Sequence, residues 1–205
     1  RWFTALAFIP FVIGFIFAWT FMLGMLAVLI GSPVVLASTA VSGLIFTVRG
    51  IRVVRRASSP WRAAGVGLTA PIMTAAALLL AWPSLVAGDL AGDLTKLIIN
   101  HHRYEAIIAE AQQGVPAQNA LWIQTHGSIG YVVDDGPPVR VAFNPEGILD
   151  NWSGVIFDPT GDVMLANGFD ENGDFRAPEQ ITKLFGGDRM GCRHLWGDYY
   201  SCSFT

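Results

Sequence analysis

His101 and Glu105 stand four residues apart, so on a helix they share one face, a spacing from which an imidazole and a carboxylate can bind zinc. A zinc site needs at least one more protein ligand. His102 points to another face and no third ligand lies near in sequence, so a structural or interfacial role for His101 needs fewer assumptions. Asp170-Glu171-Asn172-Gly173-Asp174 gathers oxygens as part of a calcium loop does, but its glycine comes too early and the distal glutamate is absent. It is expected to be a turn.

Nucleophilic chemistry fares no better. Ser201 and Ser203 lie in a strand pattern without an elbow motif, and neither Cys192 nor Cys202 has the cationic setting that makes a thiolate. There is no CxxC and no glycine-rich phosphate cradle. No catalytic residue, metal ligand set or cofactor is therefore assigned. What remains as a means of holding a ligand is a group of aromatics, Trp122, Trp152, Trp196, Tyr199 and Tyr200, in a small domain where such rings also serve as core.

These residues sit in the second half of a divided chain. Of 205 residues, all sixteen acids fall after residue 88, and the charges before it are six arginines. No charged or histidine side chain occurs from Trp2 to Val48 or from Ala63 to Gly88. The first of these runs would reach about 70 Å as a single helix, twice a hydrocarbon core of about 30 Å, so it must reverse. Gly31-Ser32-Pro33 is the expected fold-back point. The reading is an anchor, residues 1–88, with three transmembrane helices at about 6–30, 34–50 and 63–86; two spans with one re-entrant segment is the alternative. Trp61 and Trp82 bracket the third span about 31 Å apart and would anchor it at opposite interfaces. The apolar stretch is too long for a signal peptide, and a short segment is expected ahead of Arg1.

Arg49, Arg52, Arg55, Arg56 and Arg62 concentrate in the loop at 49–62, which the positive-inside rule keeps cytoplasmic. With the N-terminus also inside, residues 89–205 are expected outside a bacterial inner (plasma) membrane, periplasmic or extracellular. The spans contain nothing to ionise. This argues against pumps and ion-coupled transport, and no histidine before residue 100 is available to ligate a membrane haem. Small residues such as Gly14, Ala18, Gly24 and Ala27 favour close helix packing or lateral docking on another membrane protein.

Residues 89–205 carry sixteen acids against seven bases, a net charge of minus nine that repels nucleic acid. A helix of about 24 residues opens this part, with Asp89 as its cap and Leu90, Leu94, Leu97, Ile98, Tyr104, Ile108 and Ala111 along one stripe. Period-two patterning then suggests six or seven short antiparallel strands, hence an α+β extracytoplasmic domain with a long helix on a small sheet. Val139, Val141 and Phe143 read as the inner face of a half-buried strand. Asp158-Pro159-Thr160-Gly161 is expected to fold residues 155–157 onto 163–165 as a hairpin.

In the last hairpin a three-residue loop, Trp196-Gly197-Asp198, would face Cys192 with Cys202. A two-residue Gly197-Asp198 loop would instead put Arg193 there. Segregation of apolar side chains favours the first, and an oxidising compartment makes a Cys192–Cys202 disulfide the expectation. Functionally, the chain reads as a non-catalytic accessory or assembly subunit, partnered by the bilayer and other membrane subunits. A membrane-anchored sensor or ligand-binding protein is the rival. A metal-dependent periplasmic hydrolase built on His101, His126 or His194 is the third reading.

Overall fold

The structure, a computed structural model, describes residues 2–54, 60–114, 123–134, 136–148 and 150–205. Arg55, Arg56 and Trp122 lie outside them. The chain divides into two compact units, residues 1–92 and 93–205.

The N-terminal unit is helical: α1 (Trp2–Trp19), α2 (Phe21–Val54) and the first part of α3 (Pro60–Gln112). Two helices are long and apolar enough to cross a membrane, Phe21–Val53 and Pro71–Gln112, and Phe8–Trp19 is a shorter apolar helix. The reversal lies at Thr20 and not at residues 31–33, so the expected spans at 6–30 and 34–50 do not match the helices. Gly31 and Pro33 stay inside α2. A proline removes one ladder hydrogen bond and one donor, which an apolar helix can absorb without turning the chain round. At Thr20 the backbone bonds continue on both sides, Thr20 N–H to Ile16 O at 3.0 Å and Gly24 N–H to Thr20 O at 2.9 Å. The sharp turn depends on Gly24, because a Cβ there would fall 2.3 Å from the Phe17 Cα.

α1 also packs on α3 through glycine. Added Cβ atoms would lie 2.0 Å from the Leu85 carbonyl oxygen at Gly14, 1.9 Å from that of Phe11 at Gly88, and 2.5 Å from the Ala18 Cβ at Gly92. Gly88 and Gly92 form a GxxxG pair, a spacing that places two bare backbone patches on one helix face. Arg49 and Arg52 are helical, on the last turns of α2, so the connection carrying the arginines is shorter than the expected 49–62 loop. Cationic side chains there complement the helix C-terminus. Trp61 and Trp82 both project from α3 with exposed side chains.

In the C-terminal unit, the end of α3 covers one face of a six-stranded antiparallel sheet: β1 (Gln124–His126), β2 (Ile129–Asp134), β3 (Arg140–Ile148), β4 (Asn151–Phe157), β5 (Arg189–Trp196) and β6 (Tyr199–Phe204), in the order β1-β2-β3-β4-β6-β5. α3 does not begin at Asp89; it runs through that position without a cap. Leu97, Tyr104, Ile107 and Ile108 bury against Val141, Phe143, Val155, Phe157 and Tyr199, with Tyr104 stacked on Phe143 at 4.0 Å. Ile98, expected on this stripe, is 68% exposed, and Ile107 takes a place in its stead.

The opposite face is covered as well. The long connection between β4 and β5 holds 3₁₀ turns at Asp162–Met164 and Leu184–Gly186 and a short helix α4 (Glu179–Thr182). Its Val163, Ala177, Ile181, Leu184 and Phe185 pack with Ala142, Ile156, Tyr200, Cys202 and Phe204. β3 is therefore buried on both faces over residues 140–143, where a half-buried strand was expected. Each covering layer excludes water from one side of the sheet.

This connection replaces the expected hairpin of 155–157 with 163–165. β4 pairs with β6, and residues 162–164 form a 3₁₀ turn. The cause is Asp158, fully buried, whose carboxylate accepts from Thr160 N–H (3.1 Å), Thr160 Oγ1 (2.8 Å), Val163 N–H (2.9 Å) and Arg140 Nε (3.0 Å). Collecting two N–H groups within five residues winds the chain inward instead of returning it as a strand. Burial pushes the Asp158 carboxyl upward, but these hydrogen bonds and the Arg140 charge outweigh it and hold it below the usual carboxylate range.

Cys192 and Cys202 are directly opposed and bridged. The turn is the two-residue Gly197-Asp198, with Trp196 paired to Tyr199, and a bulge between His194 and Trp196 supplies the residue that restores the Cys192–Cys202 register. At the outer edge of the sheet, the Asn167 carboxamide accepts from Cys192 N–H at 3.3 Å and donates to Cys192 O at 3.4 Å. Arg189, 1% exposed, fixes that side chain by donating to Asn167 Oδ1 at 2.6 Å. It also donates to Val163 O at 3.0 Å and Leu165 O at 2.8 Å.

Candidate functional site

A cleft of about 370 Å³ opens between the last turns of α3 and the β5–β6 turn. Helical spacing brings Glu105, Ile108 and Gln112 to one wall together with His101. The opposite wall is Trp196, Asp198 and Tyr199, and Phe157 contributes from β4. The bulge before Trp196 matters here. It lets a two-residue turn place Trp196 and Tyr199 as a pair while the disulfide register is kept.

The walls are tied at one point, where the Tyr199 hydroxyl donates to Glu105 Oε1 at 2.5 Å. Burial, reinforced by this hydrogen bond and the charge behind it, pushes the Tyr199 phenol well above its ordinary value, so it stays protonated. His101 meets Trp196 and Tyr199 edge-on, at 5.3 and 5.6 Å between ring centres. Its Nδ1 lies 3.7 Å from Glu105 Oε1, too long for a hydrogen bond, and is buried without a hydrogen-bond partner. The Trp196 side chain is 56% exposed.

Of the sequence-derived aromatics, Trp196 and Tyr199 come together in the cleft. Trp152 and Tyr200 do not: they belong to the core of the other sheet face, Trp152 stacked on Phe204 at 4.2 Å and Tyr200 edge-on to His194 at 5.3 Å. The histidines are not brought together either. His126 is 3.7 Å from Glu110, His194 sits beside Tyr200, and no group of three His, Cys, Asp or Glu side chains fit to hold a metal occurs among the described residues. Asp170 caps its own turn through the N–H groups of Asn172 and Asp174, at 2.8 and 3.0 Å.

Ser201 donates to Asp93 Oδ2 at 2.5 Å, and Arg193 is 3.7 Å from the same oxygen. This cluster has no histidine to act as base and pins α3 to the sheet. Sequence reasoning missed Phe157, Gln112 and Asp198 as cleft residues. Only the pairing of β4 with β6 brings Phe157 beside Tyr199, a long-range fact with no local signal. Chemically the described lining of the cleft offers aromatic rings and two carboxylates. Comparison with protein-family models, curated proteins and solved structures finds no match for this chain.

Proposed function

We propose that this chain is a non-catalytic integral membrane protein, an accessory or assembly subunit whose helices dock laterally on a larger membrane complex while its acidic unit meets the partner's exposed surface. The observation that carries the reading is the outer surface of α2 and of α3 up to Trp82. It presents Leu23, Leu26, Leu29, Ile30, Leu79 and Leu80 exposed, in a sequence with no ionisable side chain from Trp2 to Val48. Such a surface is costly in water and ordinary in lipid. The arginines near the end of α2 support a cytoplasmic placement of the α2–α3 connection, and hence residues 93–205 on the outer side of a bacterial inner membrane with three crossings. The Cys192–Cys202 bridge supports the same side, since disulfides persist in oxidising compartments.

The test is cross-linking in the native membrane followed by extraction in mild detergent, with protease added to intact spheroplasts in parallel. Partner subunits should leave with the chain, and the protease should reach the C-terminal unit. A lone monomer would defeat the docking reading, and protection of residues 123–205 would defeat the orientation.

A second reading, a membrane-anchored sensor or ligand-binding protein, is favoured by the cleft. Trp196 and Tyr199 are gathered there with His101 and Glu105, away from the core in which Trp152 and Tyr200 are packed.

A further inference from the structure

The charges on the cleft walls have one sign. Glu105 and Asp198 line it, and none of its described lining residues is a lysine or arginine. Glu105 Oε1 accepts a hydrogen bond from the Tyr199 hydroxyl, which leaves the second oxygen to take another donor. The Trp196 ring stands across from it with more than half its surface in solvent.

Each other class of guest meets a physical obstacle. An anion would be repelled by both carboxylates and by the acidic unit around them. A neutral apolar molecule would strip water from Glu105 and Asp198 without replacing its hydrogen bonds. A metal ion finds His101 and Glu105 together but, among the described residues, no group of three side chains able to hold it. A cation bearing N–H groups meets both of the features that face the cleft: attraction to the ring face and charge-assisted hydrogen bonds to carboxylate. The volume, about 370 Å³, is at the small end of ligand pockets and suits one such headgroup.

We infer that the cleft between the end of α3 and the β5–β6 turn is a receptor for an organic cation, a guanidinium or alkylammonium group. The group is carried either by a free small molecule or by a basic side chain of a partner chain. The inference rests on the ligand-binding reading of the cleft and is independent of the docking of the helices.

Isothermal titration of the full chain in mild detergent tests it with three probes: agmatine, acetyl-glycyl-arginyl-glycinamide, and the same peptide with citrulline, which keeps the shape and removes the charge. The arginyl peptide should bind at least about tenfold more tightly than the citrullyl one. Glu105→Gln, which keeps an oxygen to accept the Tyr199 proton, and Trp196→Ala should each weaken it by about tenfold with the near-UV spectrum of the β-unit otherwise retained. Agmatine binding as well as the arginyl peptide supports a free small cation; markedly tighter peptide binding supports a partner's side chain. Equal binding of the arginyl and citrullyl peptides overturns the cation inference while leaving a ligand site in place. No binding by any probe at millimolar concentration overturns both.

Discussion

Asp158→Ala should be among the most damaging single changes in the C-terminal unit, and its cost can be worked from the contacts. The buried carboxylate holds Arg140 Nε at 3.0 Å and two backbone N–H groups, those of Thr160 and Val163. Removing one partner of a buried ion pair costs about 3–5 kcal/mol, because the other charge is left in a poor dielectric. Here Arg140 keeps Asp162 Oδ2 at 3.3 Å, which pulls the figure toward the lower end. The buried Val163 N–H loses its acceptor outright and adds about 1 kcal/mol, whereas Thr160 is exposed and can turn to water. The expected loss is about 4 kcal/mol, a large share of the 5–15 kcal/mol that typically holds a domain folded.

Urea unfolding of the full chain in mild detergent, followed by near-UV circular dichroism, measures it. A loss below about 1 kcal/mol would show that the network is effectively solvated and that Asp158 does not direct the turn. The pH dependence offers a second check. Because the folded carboxyl titrates below its unfolded value of about 3.9, its contribution is present above that value and is lost as pH falls through the lowered folded one. Asp158→Asn should therefore flatten the acid limb of the stability curve as well as lower the plateau.

Three further outcomes are expected. Reducing the Cys192–Cys202 bridge, which closes a loop of sequence separation 10, should lower stability by about 3 kcal/mol, read as a drop in the thermal midpoint on adding dithiothreitol. Gly88→Val should loosen the α1–α3 packing and lower thermal stability in detergent, while Gly65→Ala, with open space around it, should leave it unchanged; equal effects would refute the close-approach argument. Tyr104→Phe should cost about 1 kcal/mol by removing the oxygen to which Asn144 Nδ2 donates at 3.1 Å. It should also remove from an alkaline absorbance titration one phenol that burial has pushed up to about 12.

How far these features were legible depended on whether the deciding contact was local. The alternation of Val139, Val141 and Phe143 marked the strand that, as β3, pairs with β2 through Val133↔Val141 and Tyr131↔Phe143, and apolar segregation gave the Cys192–Cys202 register. The bulge that reconciles that register with a two-residue turn left no mark in composition. Gly31-Ser32-Pro33 has the chemistry of a break and sits inside a helix, while Thr20 breaks one because Gly24 admits Phe17, a contact between two helices. Asp158-Pro159-Thr160-Gly161 signals a turn, and it is one, but its direction depends on a carboxylate buried beside Arg140, eighteen residues upstream. Ile98 and Ile99 were as apolar as Leu97 and Ile107; only the sheet decides which side of α3 is inside. For the cleft, Trp196 and Tyr199 were visible as residue types, and the grouping was not.

The Asn167 carboxamide beside Cys192 bears on how copies of this protein behave when crowded together. An outermost strand with open amide and carbonyl groups is a template on which another strand can add, and runaway addition is how sheets polymerise. Here one side chain occupies both groups of Cys192 midway along β5, and the buried Arg189 prevents it from swinging away. A strand approaching that edge meets a stopper where it would need a partner. At this point of the β5 edge, pairing with an incoming strand is blocked by a single amide held in place by a single guanidinium.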